Sequence, residues 1–158
     1  MNRLPYFLIT ALVVGADRLL KAWASRSLAA TGPRPLIGEA IRLTPVHNIG
    51  GALGILPGGG VLFVVVSLGA SVAIIGLLAV HRYPGRLMNT GLALVLGGAI
   101  GNVIDRLTYG YVFDFLEFRG LFVNNLADIC VSIGVALVIL CVLFGGEQHR
   151  STRQADRL

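Results

Sequence analysis

The sequence predicts an all-α membrane protein with four transmembrane helices and a small extended or β element outside the membrane, between helices 1 and 2. Three observations predict this fold. Hydrophobic residues make up 55% of the 158 residues and charged residues only 13%, which differs strongly from soluble domains. Mean hydropathy is +0.79. Apolar stretches of about 20 residues, the length needed to cross a bilayer, recur along the chain.

The predicted spans cover residues 4–23, 61–80, 87–105 and 126–144 of a single integral membrane domain, 1–158, with outer loops at 25–60 and 106–125. The first span ends in three charged residues, Asp17, Arg18 and Lys21. A cleavable signal peptide with an A-x-A site at 22–24 is the alternative. These charges are unexpected so near a cleavage site, and Asp17 and Lys21 form an i, i+4 pair on one helix face. We therefore interpret the segment as a membrane helix.

The loop from 25 to 60 is interrupted by prolines and ends in three glycines, so it is not a membrane span. Partial alternation of apolar and polar residues at 40–48 predicts a short strand within it. The glycine-rich segment that follows, 48–54, fits a backbone that approaches another group closely. A plain surface turn is the alternative interpretation of that segment.

Glycines in two of the spans predict close helix packing. Gly97, Gly98 and Gly101 make a small-residue face on the third span, which lets a neighbouring helix backbone come near. Gly69 and Gly76 offer the same possibility on the second span.

Four spans place both termini and the short basic turn at 81–86 on one side of the membrane. Short basic segments mark the cytoplasmic side, so we predict cytoplasmic termini. The other side has seven basic residues against six on this side, and the short basic turn decides the assignment, since long loops count for less. Asp17, Asp105 and Asp128 then lie at span ends on the outer face, and Asp114 lies in the loop joining the last two spans.

These acids are the candidates for chemistry, because an ionisable group near hydrocarbon is costly unless a partner or a water-filled cavity relieves it. Asp114 and Asp128 are the predicted reacting pair. Two adjacent carboxylates do not both ionise cheaply, so one keeps a proton while the other draws a proton from water. The structural alternative is a set of ion pairs and caps: Asp105 with Arg106, Asp17 with Lys21, and Asp128 at the start of span four.

Other chemistries fit the sequence less well. There is no HExxH motif, and the histidines lie in separate segments, so no metal or other cofactor is expected. No serine stands in a GxSxG setting. Cys130 and Cys141 are about 16 Å apart on a straight helix, too far to pair. The net charge of +5 comes without a nucleic-acid motif, so membrane lipids are the expected counter-charge and nucleic acid is not an expected partner.

Five motifs in order resemble the signatures of the bacterial lipoprotein signal peptidases (signal peptidase II). They are Asp17-Arg18-Leu19-Leu20-Lys21, Asn48-Ile49-Gly50-Gly51-Ala52, Gly101-Asn102-Val103-Ile104-Asp105-Arg106, Val112-Phe113-Asp114-Phe115 and Asn125-Leu126-Ala127-Asp128. The resemblance extends over nearly the whole chain. The chain departs from the common pattern at Arg18, where family members often have glutamine.

The resemblance implies an aspartic endopeptidase of the bacterial inner membrane that cleaves the signal peptide from prolipoproteins carrying a lipid-modified cysteine. It implies that Asp114 and Asp128 are catalytic and that globomycin inhibits the enzyme. The implied substrate-binding and supporting residues are Asp17, Lys21, Asn48, Gly50, Asn102, Asp105, Arg106 and Asn125.

Two other classes of function remain as alternatives. A small proton-coupled transporter or channel subunit would carry its acids near span centres, whereas these acids lie at span ends. A purely structural assembly factor would have no use for so many acids and amides on one face.

Overall fold

The computed structural model describes residues 3–50, 59–80, 85–119 and 121–155. Most of these residues are helical. The elements, in chain order, are α1 (Leu4–Thr31), β1 (Arg34–Ile37), β2 (Ile41–Asn48), α2 (Gly60–Ala79), α3 (Arg86–Tyr109), β3 (Val112–Phe118), β4 (Phe122–Asn124) and α4 (Leu126–Ala155).

Three helices of the described residues are long and apolar enough to cross a membrane: α2, α3 and the part of α4 up to Phe144. The first helix differs from them because Asp17, Arg18 and Lys21 all lie within it. At 28 residues α1 also runs beyond the predicted end at 23. The predicted mostly helical membrane fold is therefore confirmed with three such helices, and the fourth span stays a prediction.

The strand predicted at 40–48 is present as β2, and it belongs to a larger sheet than the sequence indicated. Four antiparallel strands lie in the order β1-β2-β3-β4. The loop between α3 and α4 supplies β3 and β4, for which the sequence carries no clear strand pattern. The β2–β3 register shifts between Leu43 and Val46, around Pro45, which has no N–H to donate to a ladder.

The sheet packs on the last turns of α1 through a cluster of buried apolar side chains. Ala24 and Leu28 of α1 contact this cluster, together with Phe113 and Phe115 of β3. Successive side chains of a strand point to opposite faces. The two phenylalanines therefore turn Asp114 toward the opposite face of β3, where α3 and α4 meet.

The small-residue face of α3 is confirmed. A Cβ added at Gly97 would lie 2.7 Å from Val13 of α1, and one at Gly98 would collide with the backbone oxygen of Ala127 on α4. One at Gly101 would lie 2.8 Å from Asp17 Oδ2. These glycines let both α1 and α4 approach the backbone of α3.

Two predictions about glycines have other outcomes. Added Cβ atoms at Gly69 and Gly76 would meet nothing within 4 Å in the described residues, so no helix of that part of the chain packs closely against these two glycines. Conversely, Gly91 and Gly134 face each other across α3 and α4, each close to the other's backbone oxygen. Of the glycine-rich segment at 48–54, residues 51–54 lie outside the described residues.

Candidate active site

Asp114 is held by two asparagines from different elements. Its Oδ2 accepts a hydrogen bond from Asn48 Nδ2 at 2.9 Å, and its Oδ1 accepts one from Asn125 Nδ2 at 2.6 Å. Asn48 is the last residue of β2, and Asn125 immediately precedes α4. Asp114 is only 1% exposed, so the two amides replace the water that a carboxylate would otherwise bind.

Asp128 lies in the first turn of α4 and is bound by α3. Its Oδ1 accepts a hydrogen bond from Asn102 Nδ2 at 2.7 Å. Asn102 in turn accepts a bond from Asn125 Nδ2 at 3.2 Å. A continuous series of hydrogen bonds thus runs from Asp114 through Asn125 and Asn102 to Asp128. It connects the two predicted reacting acids.

Asn125 also caps α4. Its Oδ1 accepts the backbone N–H of Asp128 at 2.9 Å, and its carbonyl oxygen accepts the N–H of Ile129 at 3.3 Å. This is the arrangement of an N-cap residue. The structural alternative in which Asp128 caps the helix is therefore wrong, because Asn125 fills that role and leaves the Asp128 side chain available to the site.

Gly50 and Arg106 meet beside this network. Arg106 Nη2 donates to the carbonyl oxygen of Gly50 at 2.8 Å, and the guanidinium lies 5.3 Å from the centre of the Phe63 ring on α2. The backbone N–H of Gly50 donates to Asn48 Oδ1 at 2.9 Å. The predicted close approach after β2 is therefore present at Gly50.

Behind the asparagines lies a buried cluster of charges from α1 and α3. Lys21 Nζ is 2.9 Å from Asp17 Oδ2 and 2.7 Å from Asp105 Oδ2, and it donates to Asn102 Oδ1 at 3.2 Å. The predicted pair of Asp17 with Lys21 is confirmed. Through Asn102, the lysine connects this cluster to Asp128.

The predicted ion pair of Asp105 with Arg106 is wrong. Asp105 binds Lys21 and Arg18, and its Oδ2 accepts the backbone N–H of Phe113 at 3.2 Å. Arg18 is a partner of Asp105 that was not predicted. The signal was available: two buried acids against one lysine leave an unpaired charge, which a protein rarely tolerates.

Burial raises the pKa of Asp114 from 3.8 to about 6. Hydrogen bonds from Asn48 and Asn125 oppose this rise, and Asp128 adds to it when its carboxyl group is ionised. Asp114 is therefore mostly ionised at neutral pH but readily protonated just below it, which suits a group that takes and returns a proton.

A separate cavity of ≈ 330 Å³ lies between α1, the end of α3 and the sheet. It shares Lys21 and Asp105 with the charge cluster, and neither Asp114 nor Asp128 lines it. Elsewhere, Cys130 and Cys141 are both free, as their spacing predicted. No group of three or more His, Cys, Asp or Glu side chains suited to a metal ion occurs at 3–50, 59–80, 85–119 or 121–155.

Comparison with known proteins agrees with these features. The profile of the family described as "Signal peptidase (SPase) II" matches residues 9–144. The chain is 44% identical to the lipoprotein signal peptidase of Moorella thermoacetica over 153 residues, which is 93% of this chain and 99% of that protein. It is 38% identical to the one of Clostridioides difficile over 150 residues, 92% of this chain and 99% of that protein.

Solved structures give the same result. A bacterial membrane enzyme determined by the in meso method at 2.3 Å resolution superposes with a TM-score of 0.79 at 28% identity, covering 88% of this chain and 87% of that one. A second one, at 1.9 Å resolution, gives a TM-score of 0.74. A transporter or channel subunit finds no support among these relatives. The chain belongs to the signal peptidase II family of membrane proteases.

Proposed function

We propose that this protein removes the signal peptide from diacylglyceryl-modified prolipoproteins, with Asp114 and Asp128 as the catalytic pair. The observation that carries the proposal is the continuous network of Asn102 and Asn125 between the two carboxylates. One carboxylate would activate water and the other would protonate the scissile carbonyl. Of the remaining predicted site residues, Asn48, Gly50 and Arg106 would shape the substrate pocket, while Asp17, Lys21 and Asp105 would support it.

The direct test is cleavage of a lipidated prolipoprotein by the purified protein. Asp114→Asn and Asp128→Asn should each lower the rate by at least ~10²-fold while leaving expression and membrane insertion intact, because each removes one general acid-base group. Retention of activity within about tenfold of wild type would refute the assignment of that residue. Globomycin should inhibit the wild-type enzyme in the same assay.

We expect this chemistry to need neither a metal nor a thiol. Treatment with EDTA should leave turnover largely intact, and so should the Cys130→Ala/Cys141→Ala double substitution. Loss of activity with chelator and its recovery with zinc would instead support a metal enzyme.

We further propose that α1 is a fourth span and that residues 1–158 form one domain of the bacterial inner membrane. Two charged residues of α1 turn inward, with Asp17 0% and Lys21 4% exposed, whereas apolar side chains such as Leu8 and Leu12 are exposed. A lipid environment suits that distribution. Both termini would then be cytoplasmic, and the site would lie at the outer face.

Orientation can be tested with single cysteines introduced in the Cys130→Ala/Cys141→Ala background. An impermeant thiol reagent applied from outside should label Gly59→Cys and spare Gly85→Cys. The reverse pattern would place the site on the cytoplasmic side and contradict the processing of exported lipoproteins.

Lipid on the substrate should also matter, because acyl chains hold it at the membrane boundary where the site lies. Each buried CH₂ contributes about 0.8 kcal/mol to membrane partition. Unlipidated precursor should therefore be cleaved far more slowly than the diacylglyceryl form. Equal rates for both forms in the same bilayer would mean that the lipid is not recognised.

A further inference from the structure

The side-chain orientation of three asparagines is fixed by groups that can only donate. Asn125 Oδ1 accepts the backbone N–H of Asp128, and Asn48 Oδ1 accepts the backbone N–H of Gly50, both at 2.9 Å. Asn102 Oδ1 accepts a hydrogen bond from Lys21 Nζ at 3.2 Å. Backbone N–H groups and lysine ammonium groups carry no acceptor. Each amide must therefore turn its oxygen toward these donors and its NH₂ group away from them.

All three NH₂ groups consequently point at the aspartates. Asn48 and Asn125 donate to Oδ2 and Oδ1 of Asp114, and Asn102 donates to Oδ1 of Asp128. The two aspartates have four carboxylate oxygens, and three of them accept these amide hydrogen bonds. The fourth, Asp128 Oδ2, accepts no hydrogen bond from the described residues. An oxygen that faces an N–H accepts there and cannot donate. A proton shared by the pair therefore fits best on Asp128 Oδ2.

We propose that the three asparagines give the two aspartates different roles: Asp128 carries the proton on Oδ2 and is the acid, and Asp114 is the ionised base. This inference rests on the proposed function and deepens it. Asn48, Asn102 and Asn125 are positioning residues that act through the carboxylates.

With these roles, every proton that an aspartate takes up or gives away during hydrolysis is returned by the end of the cycle. Asp114 takes a proton from water, the water oxygen bonds to the scissile carbonyl carbon, and Asp128 gives its proton to the carbonyl oxygen. The resulting gem-diol breaks its C–N bond as Asp114 passes its proton to the departing nitrogen. One hydroxyl proton of the gem-diol returns to Asp128, and a carboxylic acid and a free amine leave. The pair then has its starting protonation.

Infrared spectroscopy of the purified protein at neutral pH, without substrate, tests the assignment. The wild-type minus Asp128→Asn difference spectrum should contain the band of a protonated carboxyl group. The wild-type minus Asp114→Asn spectrum should contain carboxylate bands instead. The reverse pattern would overturn the assignment, and so would carboxylate bands in both spectra. Because no cleavage is measured, this result is independent of the test of the proposed function.

Thermal stability gives a second, independent readout. In Asp128→Asn the new amide oxygen can accept the hydrogen bond from Asn102. The new NH₂ group then takes the place of the protonated oxygen, so Tm should change little. In Asp114→Asn the new NH₂ must face the NH₂ of Asn48 or Asn125, which should lower Tm by about 3 °C or more. A larger loss in Asp128→Asn than in Asp114→Asn would contradict the proposal.

The positioning role of Asn48 has its own signature. Its NH₂ group stabilises ionised Asp114, so Asn48→Ala should raise the midpoint of the acid limb of the pH–rate profile by about one unit. A merely structural asparagine would lower the rate at every pH without moving the midpoint. An unchanged midpoint in Asn48→Ala would therefore remove Asn48 from the proposed network.

Discussion

Asp17 Oδ1 on α1 accepts a hydrogen bond from the backbone N–H of Ala127, the second residue of α4, at 3.1 Å. A carboxylate at a helix N-terminus is favourable because the free N–H groups there carry partial positive charge. The residue after Ala127 is Asp128. Asp17 thus helps to position the start of α4, and with it Asp128, without a hydrogen bond of its own to Asp114 or Asp128.

Asp17→Ala should therefore lower both stability and activity. It removes the acceptor at the start of α4 and one of the two carboxylates around Lys21, and breaking a buried ion pair costs about 3–5 kcal/mol. Thermal unfolding in detergent and cleavage rate measure the two effects. Asp17→Asn is the matched control, since it keeps an acceptor and should lose less. Wild-type stability in Asp17→Ala would show that α4 is positioned by other contacts.

The two cations of the charge cluster should differ in importance. The side chain of Lys21 is 5% exposed and bonds to Asp17, Asp105 and Asn102, whereas the side chain of Arg18 is 27% exposed. Lys21→Met should lower the free energy of unfolding by about 3 kcal/mol or more, because it leaves buried acids unpaired. Arg18→Gln should cost less than Lys21→Met, since the Arg18 side chain is partly exposed and water partly screens its pair with Asp105.

Chemical denaturation of both variants measures the difference. A larger loss in Arg18→Gln than in Lys21→Met would mean that Arg18 is the main partner of the two acids. Asp105→Asn should lower stability and activity together, because it withdraws a partner from both cations.

Much of this arrangement could be predicted from local pattern. The apolar runs predicted α2, α3 and α4, alternation predicted β2, and the small-residue face of α3 followed from Gly97, Gly98 and Gly101. Membrane helices are strongly constrained by the need to satisfy their own backbone, and such elements are readable from a single sequence.

Long-range partners could not be predicted in that way. The run 112–118 became a strand because β2 lies beside it, a pairing that depends on the tertiary fold rather than on propensity. Likewise the predicted pair of Asp105 with its neighbour Arg106 is wrong because adjacent residues on a helix point in different directions. Its partners Arg18 and Lys21 come from another helix, which only packing brings near.

Close packing at Gly98 should be essential for the site. An added methyl group would collide with the backbone oxygen of Ala127, and overpacking of this kind costs about 1–3 kcal/mol. Gly98→Ala should therefore shift α4 together with Asp128, lowering Tm and cleavage rate. Gly69→Ala on α2 is the matched control, because a Cβ there meets no described atom within 4 Å. Equal behaviour of the two variants would show that α4 adjusts without cost.

The pH dependence of cleavage should follow Asp114. Burial raises its pKa from 3.8 to about 6, so below about pH 6 the base is protonated and the rate should fall about tenfold per pH unit. The contribution of Asp114 to folding stability changes with pH in the opposite direction to the rate. Because the folded state holds this proton more tightly than the unfolded state, the contribution of Asp114 to stability is present below pH 3.8 and is lost as pH rises to about 6.

The two trends separate catalysis from unfolding. Rate and Tm measured on the same samples between about pH 5 and 7 should show activity lost toward acid without a fall in stability caused by Asp114. In Asp128→Asn, Asp114 is still present, so Tm should still vary with pH over this range. In Asp114→Asn this part of the variation should disappear. A rate that stays constant down to about pH 5 would mean that Asp114 is not the group whose ionisation limits cleavage.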